Sequence, residues 1–158
     1  MRCSKSAALL IVGGVVLLGG CGAPSGTTPA ACLQGASDYV NALRNAPRAV
    51  TLSGEVPIRD CLPENQSAGE LATVGGAMVS TAVRLNAAAR ANPGGSENVE
   101  LGYLVGAAQR GADDTEGIHS ELLRRLAAAA RYSPDNRPLS PRFLHAYRDG
   151  FDAGHSEG

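Results

Sequence analysis

Residues 67–92 read SAGELATVGGAMVSTAVRLNAAARAN. Ser67 and Glu70 stand at the spacing of a capping box, in which hydroxyl and carboxylate each satisfy an amide of the first helical turn that has no partner inside the helix. Leu71, Val74, Met78, Ala82, Leu85 and Ala89 then recur on one face, until Asn92-Pro93-Gly94-Gly95 stops the pattern. One helix of about 25 residues, roughly 37 Å long, is expected. Arg84 and Arg90 inside it make it too polar to span a bilayer. Gly75-Gly76 at its middle costs about 1 kcal/mol per residue relative to alanine, which calls for a compensating close helix contact or a kink.

Helical periodicity returns on both sides of this stretch. Leu33, Ala36, Val40 and Leu43 share a face up to Pro47, which predicts a helix over 33–46 with Tyr39 at its edge. Residues 48–62 hold two short β-like runs, AVTL and EVPI, around Ser53-Gly54. Pro57 weakens the second, so a loop with at most a minimal hairpin is expected. Ser96 opens a third helix with the stripe Leu101, Leu104, Val105 and Ala108, fading near Gly111. Asp113, Asp114 and Thr115 offer caps to a fourth, with the stripe Ile118, Leu122, Leu126 and Ala129 and a Glu121–Arg125 pair at its edge. Ser140-Pro141 is a cap followed by proline at the first helical position, opening a fifth helix faced by Leu144, Tyr147 and Phe151, whose tail from Gly154 is expected to fray. The fold class that follows is all-α, a small bundle of about five helices with one disulfide-held loop. Tyr103-x-x-Gly106 and Tyr147-x-x-Gly150 echo one another, and each glycine is expected to let a neighbouring helix approach.

The chain of 158 residues is 44% apolar and 18% charged, enough for one modest core and a single domain. Aromatic residues are only 4%, so that core is built from Ala, Leu and Val. A net charge of -1 lacks the excess that nucleic-acid binding requires.

Residues 1–6 carry Arg2 and Lys5, and the run 7–18 is uninterruptedly apolar, the layout of a secretory signal and too short to span a bilayer. Leu18-Gly19-Gly20-Cys21 resembles the lipobox of bacterial lipoproteins. That resemblance implies cleavage before Cys21, a diacylglyceryl group on its thiol and acylation of the new amino terminus. Two long, palmitate-type chains anchor a protein stably where one is marginal. The organisation is then a lipoprotein signal peptide over 1–20, a flexible stalk over 21–31 and a helical domain over 32–158, tethered to the outer face of a bacterial cell membrane. Beyond residue 20 all 12 basic residues are Arg, against 15 acidic ones. Cys32 and Cys61 remain as a pair in an exported, oxidising setting and are expected to form a disulfide. A two-cysteine metal site is the alternative, with no Cys-x-x-Cys or nearby His to support it.

Chemistry is sparse. His145, Asp149 and Asp152 stand at i, i+4 and i+7 on one arc of the last helix, where two of them could bind a divalent ion. The arc lies opposite Leu144, Tyr147 and Phe151, so a solvated surface is the preferred reading. Glu116 and His119 form a second pair that joins the first only if the fourth and fifth helices pack side by side. No Gly-x-Ser-x-Gly, His-Glu-x-x-His or phosphate loop is present, and no catalytic residue or cofactor is assigned. Cys61-Leu62-Pro63 followed by Gly69-Glu70-Leu71 and Val74 is similar to a stretch of small exported helical immunity proteins that neutralise peptidoglycan amidases. It lacks their aromatic-Pro-Cys ending, and no site residue is carried across. The expected function is a lipid-anchored binding or interaction module with an envelope or cell-wall partner. A structural spacer and a metal-dependent hydrolase are the other classes. An exposed apolar groove would mark the first, an even polar surface the second and converging His and Asp side chains the third.

Overall fold

A computed structural model describes residues 26–113 and 115–158, so Cys21 and the signal segment lie outside the described residues. Among these, the chain is mostly helical: α1 (Ala36–Leu43), α2 (Ala68–Ala91), α3 (Glu97–Ala112), α4 (Ser120–Arg131) and α5 (Pro141–Glu157), with 3-10 turns at Ala30–Leu33 and Ile58–Cys61. It is not strictly all-α, because β1 (Thr51–Leu52) and β2 (Val56–Pro57) pair antiparallel, Thr51 opposite Pro57 and Leu52 opposite Val56. Ser53 and Gly54, at φ 52° and 81°, supply the left-handed backbone that this tight reversal needs. No described helix is long and apolar enough to cross a membrane.

The capping box of α2 forms as its spacing predicts. The Glu70 amide donates to Ser67 Oγ at 3.3 Å and the Ser67 amide to Glu70 Oε2 at 3.1 Å; the Ser67 hydroxyl, 2.6 Å from Oε2, and then its amide hold the Glu70 carboxyl below its usual range. The helix runs unbroken through Gly75-Gly76. A Cβ at Gly75 would stand 3.2 Å from Leu122 Cδ1, whereas one at Gly76 would meet nothing within 4 Å. Only the first glycine is explained by helix contact.

α1 is shorter and turned relative to its expected face. The extended Gln34 and Gly35 separate it from the preceding turn, leaving Leu33 exposed while Tyr39 and Leu43 are buried. Tyr39 is therefore core and not edge. Its hydroxyl donates to the Cys32 carbonyl at 2.9 Å, and burial pushes the phenol's pKa up. Cys32 and Cys61 form the expected disulfide, with Cα atoms 5.3 Å apart and both residues fully buried. At the described end of the stalk segment, Thr28 is buried and its Oγ1 accepts from Gln66 Nε2 at 2.9 Å.

α3 departs most from the expected single stripe. Every residue from Leu101 to Ala108 is buried, so this helix is packed on all sides. The face that carries no large side chain is closed by α5. A Cβ at Gly102 would overlap the Tyr147 carbonyl oxygen, and one at Gly150 would overlap that of Val99. Gly106 stands in the same way to Phe151, and Gly154 to Tyr103. Advancing along α3 thus advances along α5: the two helices are parallel and related by a local twofold, with each glycine seated on the carbonyl three residues before its counterpart. Backbone-to-backbone approach of this kind needs glycine at every contact and places Cα–H groups against carbonyl oxygens. The expectation that glycines let helices approach holds, but in a different register from the Tyr-x-x-Gly echo. Gly102-Tyr103 corresponds to Gly150-Phe151, and Gly106 to Gly154.

The ends of the last two helices also differ from expectation. Glu116 and Gly117 both have positive φ, 47° and 85°, which breaks the chain so that α4 starts only at Ser120. The buried side of this segment becomes His119, Leu122, Leu126 and Ala130, and Ile118 is turned out, 44% exposed. Glu121 pairs with Arg124 at 2.7 Å in place of Arg125. α5 begins as predicted, with Ser140 Oγ accepting from the Phe143 amide at 3.1 Å, but it does not fray at Gly154. His155 lies 3.1 Å from Asp113 Oδ2 at the end of α3.

Candidate functional site

The residues singled out as metal ligands do not converge. His145 Nδ1 lies 2.9 Å from Asp149 Oδ2 with both side chains in solvent, 81% and 59% exposed, and Asp152 makes no side-chain bond to either. Glu116 is exposed while His119 is fully buried, which separates that pair too. Among the described residues no group of three or more His, Cys, Asp or Glu side chains could hold a metal ion.

His119 has a structural setting instead. Gln66 Nε2 donates to Thr28 Oγ1 and to the Cys61 carbonyl, both at 2.9 Å, which fixes the amide so that its Oε1 accepts from His119 Nε2 at 3.0 Å. His119 Nδ1 lies 2.8 Å from the Thr115 hydroxyl, itself 2.7 Å from the Ala112 carbonyl. The network ties the start of α4 to the segment that leads back toward Cys21. Burial lowers the imidazole pKa, because the charged ring loses its hydration. The unfolded chain therefore binds this proton more readily than the native one, and stability falls as pH drops below about 6.5, the unfolded histidine value. The melting temperature is expected to decline from pH 7 to pH 5, above the range where the carboxylates titrate, and to decline less in His119→Gln. A melting temperature that rises on acidification would show that the surrounding oxygens outweigh burial.

An open, apolar surface lies between α2 and α4. Asn86, buried on α2, donates through Nδ2 to the carbonyls of Ala129 at 3.0 Å and Tyr132 at 2.7 Å. Arg90, one turn on, donates through Nε to Tyr132 O at 2.8 Å and to Asn86 Oδ1 at 3.1 Å. Helix α4 ends on a pair of side chains from α2, which bond carbonyls of its last turn and of its cap residue Tyr132. Beside this clamp the surface is made of small residues, Ala87 of α2 and Ala128 and Ala129 of α4. The helices leave an open groove of about 530 Å³ walled by Val83 and Tyr132, 53% and 64% exposed. Arg90 stands at its end, where a second, more polar cleft continues under residues 133–140 toward Phe143. Arg90 Nη2 is buried there without a hydrogen-bond partner. No family model, curated protein or solved structure matches this chain. The groove is read from its own chemistry: a small-residue floor, an aliphatic and an aromatic wall, and a guanidinium at one end. Aromatic and arginine side chains are the types enriched where protein partners bind most strongly.

Sequence periodicity misses this site because Asn86 and Arg90 read as ordinary polar members of α2. Their spacing of four residues was the available signal, since it places both on one face beside the buried Ala82 and Ala89.

Proposed function

We propose that the chain is an exported, lipid-anchored protein of the bacterial cell envelope that acts as a binding module, with Cys21 as the lipidated residue and the α2–α4 groove as the seat for an apolar segment of an envelope or cell-wall partner. The observation that carries the reading is the pair Val83 and Tyr132, held in solvent on either side of an alanine floor. An isolated exposed apolar residue needs no explanation, but a groove lined almost wholly by apolar atoms, with a few polar groups of Asn86 and Arg90 among them, is what interaction sites present. Thr28 is docked on the domain seven residues after Cys21, so this point of the domain stands at most about 25 Å from the anchor. A partner would be met close to the membrane surface. Neutralisation of a peptidoglycan amidase, which the short resemblance around Cys61–Val74 implies, is one form such binding could take.

The test uses the full-length protein in its own envelope, with a photo-crosslinking phenylalanine analogue at Tyr132 or at the exposed Arg148 on α5. A discrete adduct is expected from position 132 and not from 148, and Val83→Glu should abolish it. Val83 is exposed, so that substitution should change stability by less than about 1 kcal/mol. Equal adducts from both positions, or an adduct indifferent to Val83→Glu, would overturn the groove. In the same preparation Cys21→Ser should move from the membrane to the soluble fraction. Its retention in membranes, with no acyl mass on the wild type, would overturn the anchor.

A further inference from the structure

A second cavity, also about 530 Å³, opens where α1, α2 and α3 diverge. It lies on a neighbouring face of α2 and is independent of the groove. Arg44, the residue that ends α1, and Arg84 of α2 line it, both exposed. Glu97 and Glu100 of α3 line the same cavity, together with the apolar Val40 and Leu85. Four charges of two signs thus surround one space, yet none of them is in an ion pair within 4.0 Å. Arg84 Nη1 is held by Ser37 Oγ at 3.1 Å. Glu100 is only 5% exposed and receives a single bond, from Ser96 Oγ to Oε1 at 2.8 Å, and Glu97 Oε2 is buried with no partner at all.

The positive end of the α3 dipole accounts for acidic residues in this first turn. It does not account for the burial of Glu100, since the dipole acts on an exposed carboxylate as well, while taking one out of water is costly unless an opposite charge meets it. Nor does it account for two guanidinium groups from separate segments lining the same cavity. We infer that the cavity binds a small zwitterion, an amino acid or short peptide with free ends. Its ammonium group lies against Glu100 and Glu97, its carboxylate takes charge-assisted bonds from Arg44 and Arg84, and its carbon body rests on Val40 and Leu85. The volume is in the ordinary range for small-ligand sites.

Alanyl-alanine is the probe, titrated into the intact protein by NMR or calorimetry beside its N-acetylated and C-amidated forms. One saturable site is expected for the zwitterion, and blocking either end should weaken binding at least tenfold. Glu100→Gln keeps an acceptor for Ser96 and should weaken the zwitterion at least tenfold, as should Arg44→Gln. Arg44 is exposed, so its variant stays folded and decides the question even if the Glu100 variant does not. No saturable binding at millimolar probe would overturn the inference. The amide binding as tightly as the zwitterion would reduce the cavity to a cation site, and the acetylated form doing so would reduce it to an anion site. Either outcome would overturn it as well.

Discussion

Gly150→Ala is expected to destabilise the protein by about 3 kcal/mol or more, although the same change in an ordinary helix interior stabilises by up to 1 kcal/mol. The added methyl would overlap the Val99 carbonyl oxygen and crowd Val99 Cα at 2.9 Å. Backbone has no rotamer to change, so α3 and α5 must separate, and every other contact along their parallel seam loosens with them. Gly102, Gly106 and Gly154 face the same obstruction from Tyr147, Phe151 and Tyr103. Gly76 provides the internal control, since it is exposed in the middle of α2 with nothing near a new Cβ. Gly76→Ala should stabilise by about 0.5–1 kcal/mol, while Gly75→Ala, against Leu122 Cδ1 at 3.2 Å, should be close to neutral. Urea denaturation of the four proteins orders them. If Gly150→Ala proves no less stable than Gly76→Ala, the seam is not packed backbone to backbone.

The same glycines mark the limit of periodic reading. A stripe is found by what a residue contributes to a face, and α2 is legible because Leu85 and Ala89 bury side chains while Ser67 and Glu70 cap locally. Gly102 and Gly106 contribute the absence of a side chain, so the α3 face that meets α5 reads as blank although it is the most tightly closed surface of the helix. Matching the two motifs by their tyrosines sets the echo one helical turn away from the register the backbones use. The start of α4 is hidden for another reason. Glu116 takes a left-handed φ that its sequence does not demand, and this turns His119 into the core and Ile118 out of it. The groove is least legible of all, because Asn86 and Arg90 act on carbonyls more than forty residues away. What they do is decided by tertiary packing, which no local pattern records.

Reduction of Cys32–Cys61, or the double substitution Cys32→Ala with Cys61→Ala, is expected to remove roughly 3–4 kcal/mol of stability and to lower the melting temperature by about 10 °C. The bridge closes a loop with a sequence separation of 29 residues, and opening it returns the chain entropy of that loop to the unfolded state. The loss should be unevenly distributed. The closed segment holds α1 and the β1–β2 hairpin, which give Tyr39, Leu43, Val50, Leu52 and Ile58 to the core. It also holds the Val50 amide, which donates to the Tyr103 hydroxyl on α3 at 3.1 Å. α3 keeps its glycine seam with α5 whether or not the bridge is intact, so residues 36–58 are the part that opens first, as a cooperative unit below the global unfolding free energy. Amide exchange reads this directly: Val50 should be protected in the oxidised protein and exchange much faster once reduced, while the amides of Leu104 and Val105 slow by comparison and follow global unfolding. Equal acceleration at all three positions would mean that the bridge stabilises the whole domain uniformly. An unchanged melting temperature would mean that burial of Tyr39 and its neighbours already holds the segment without it.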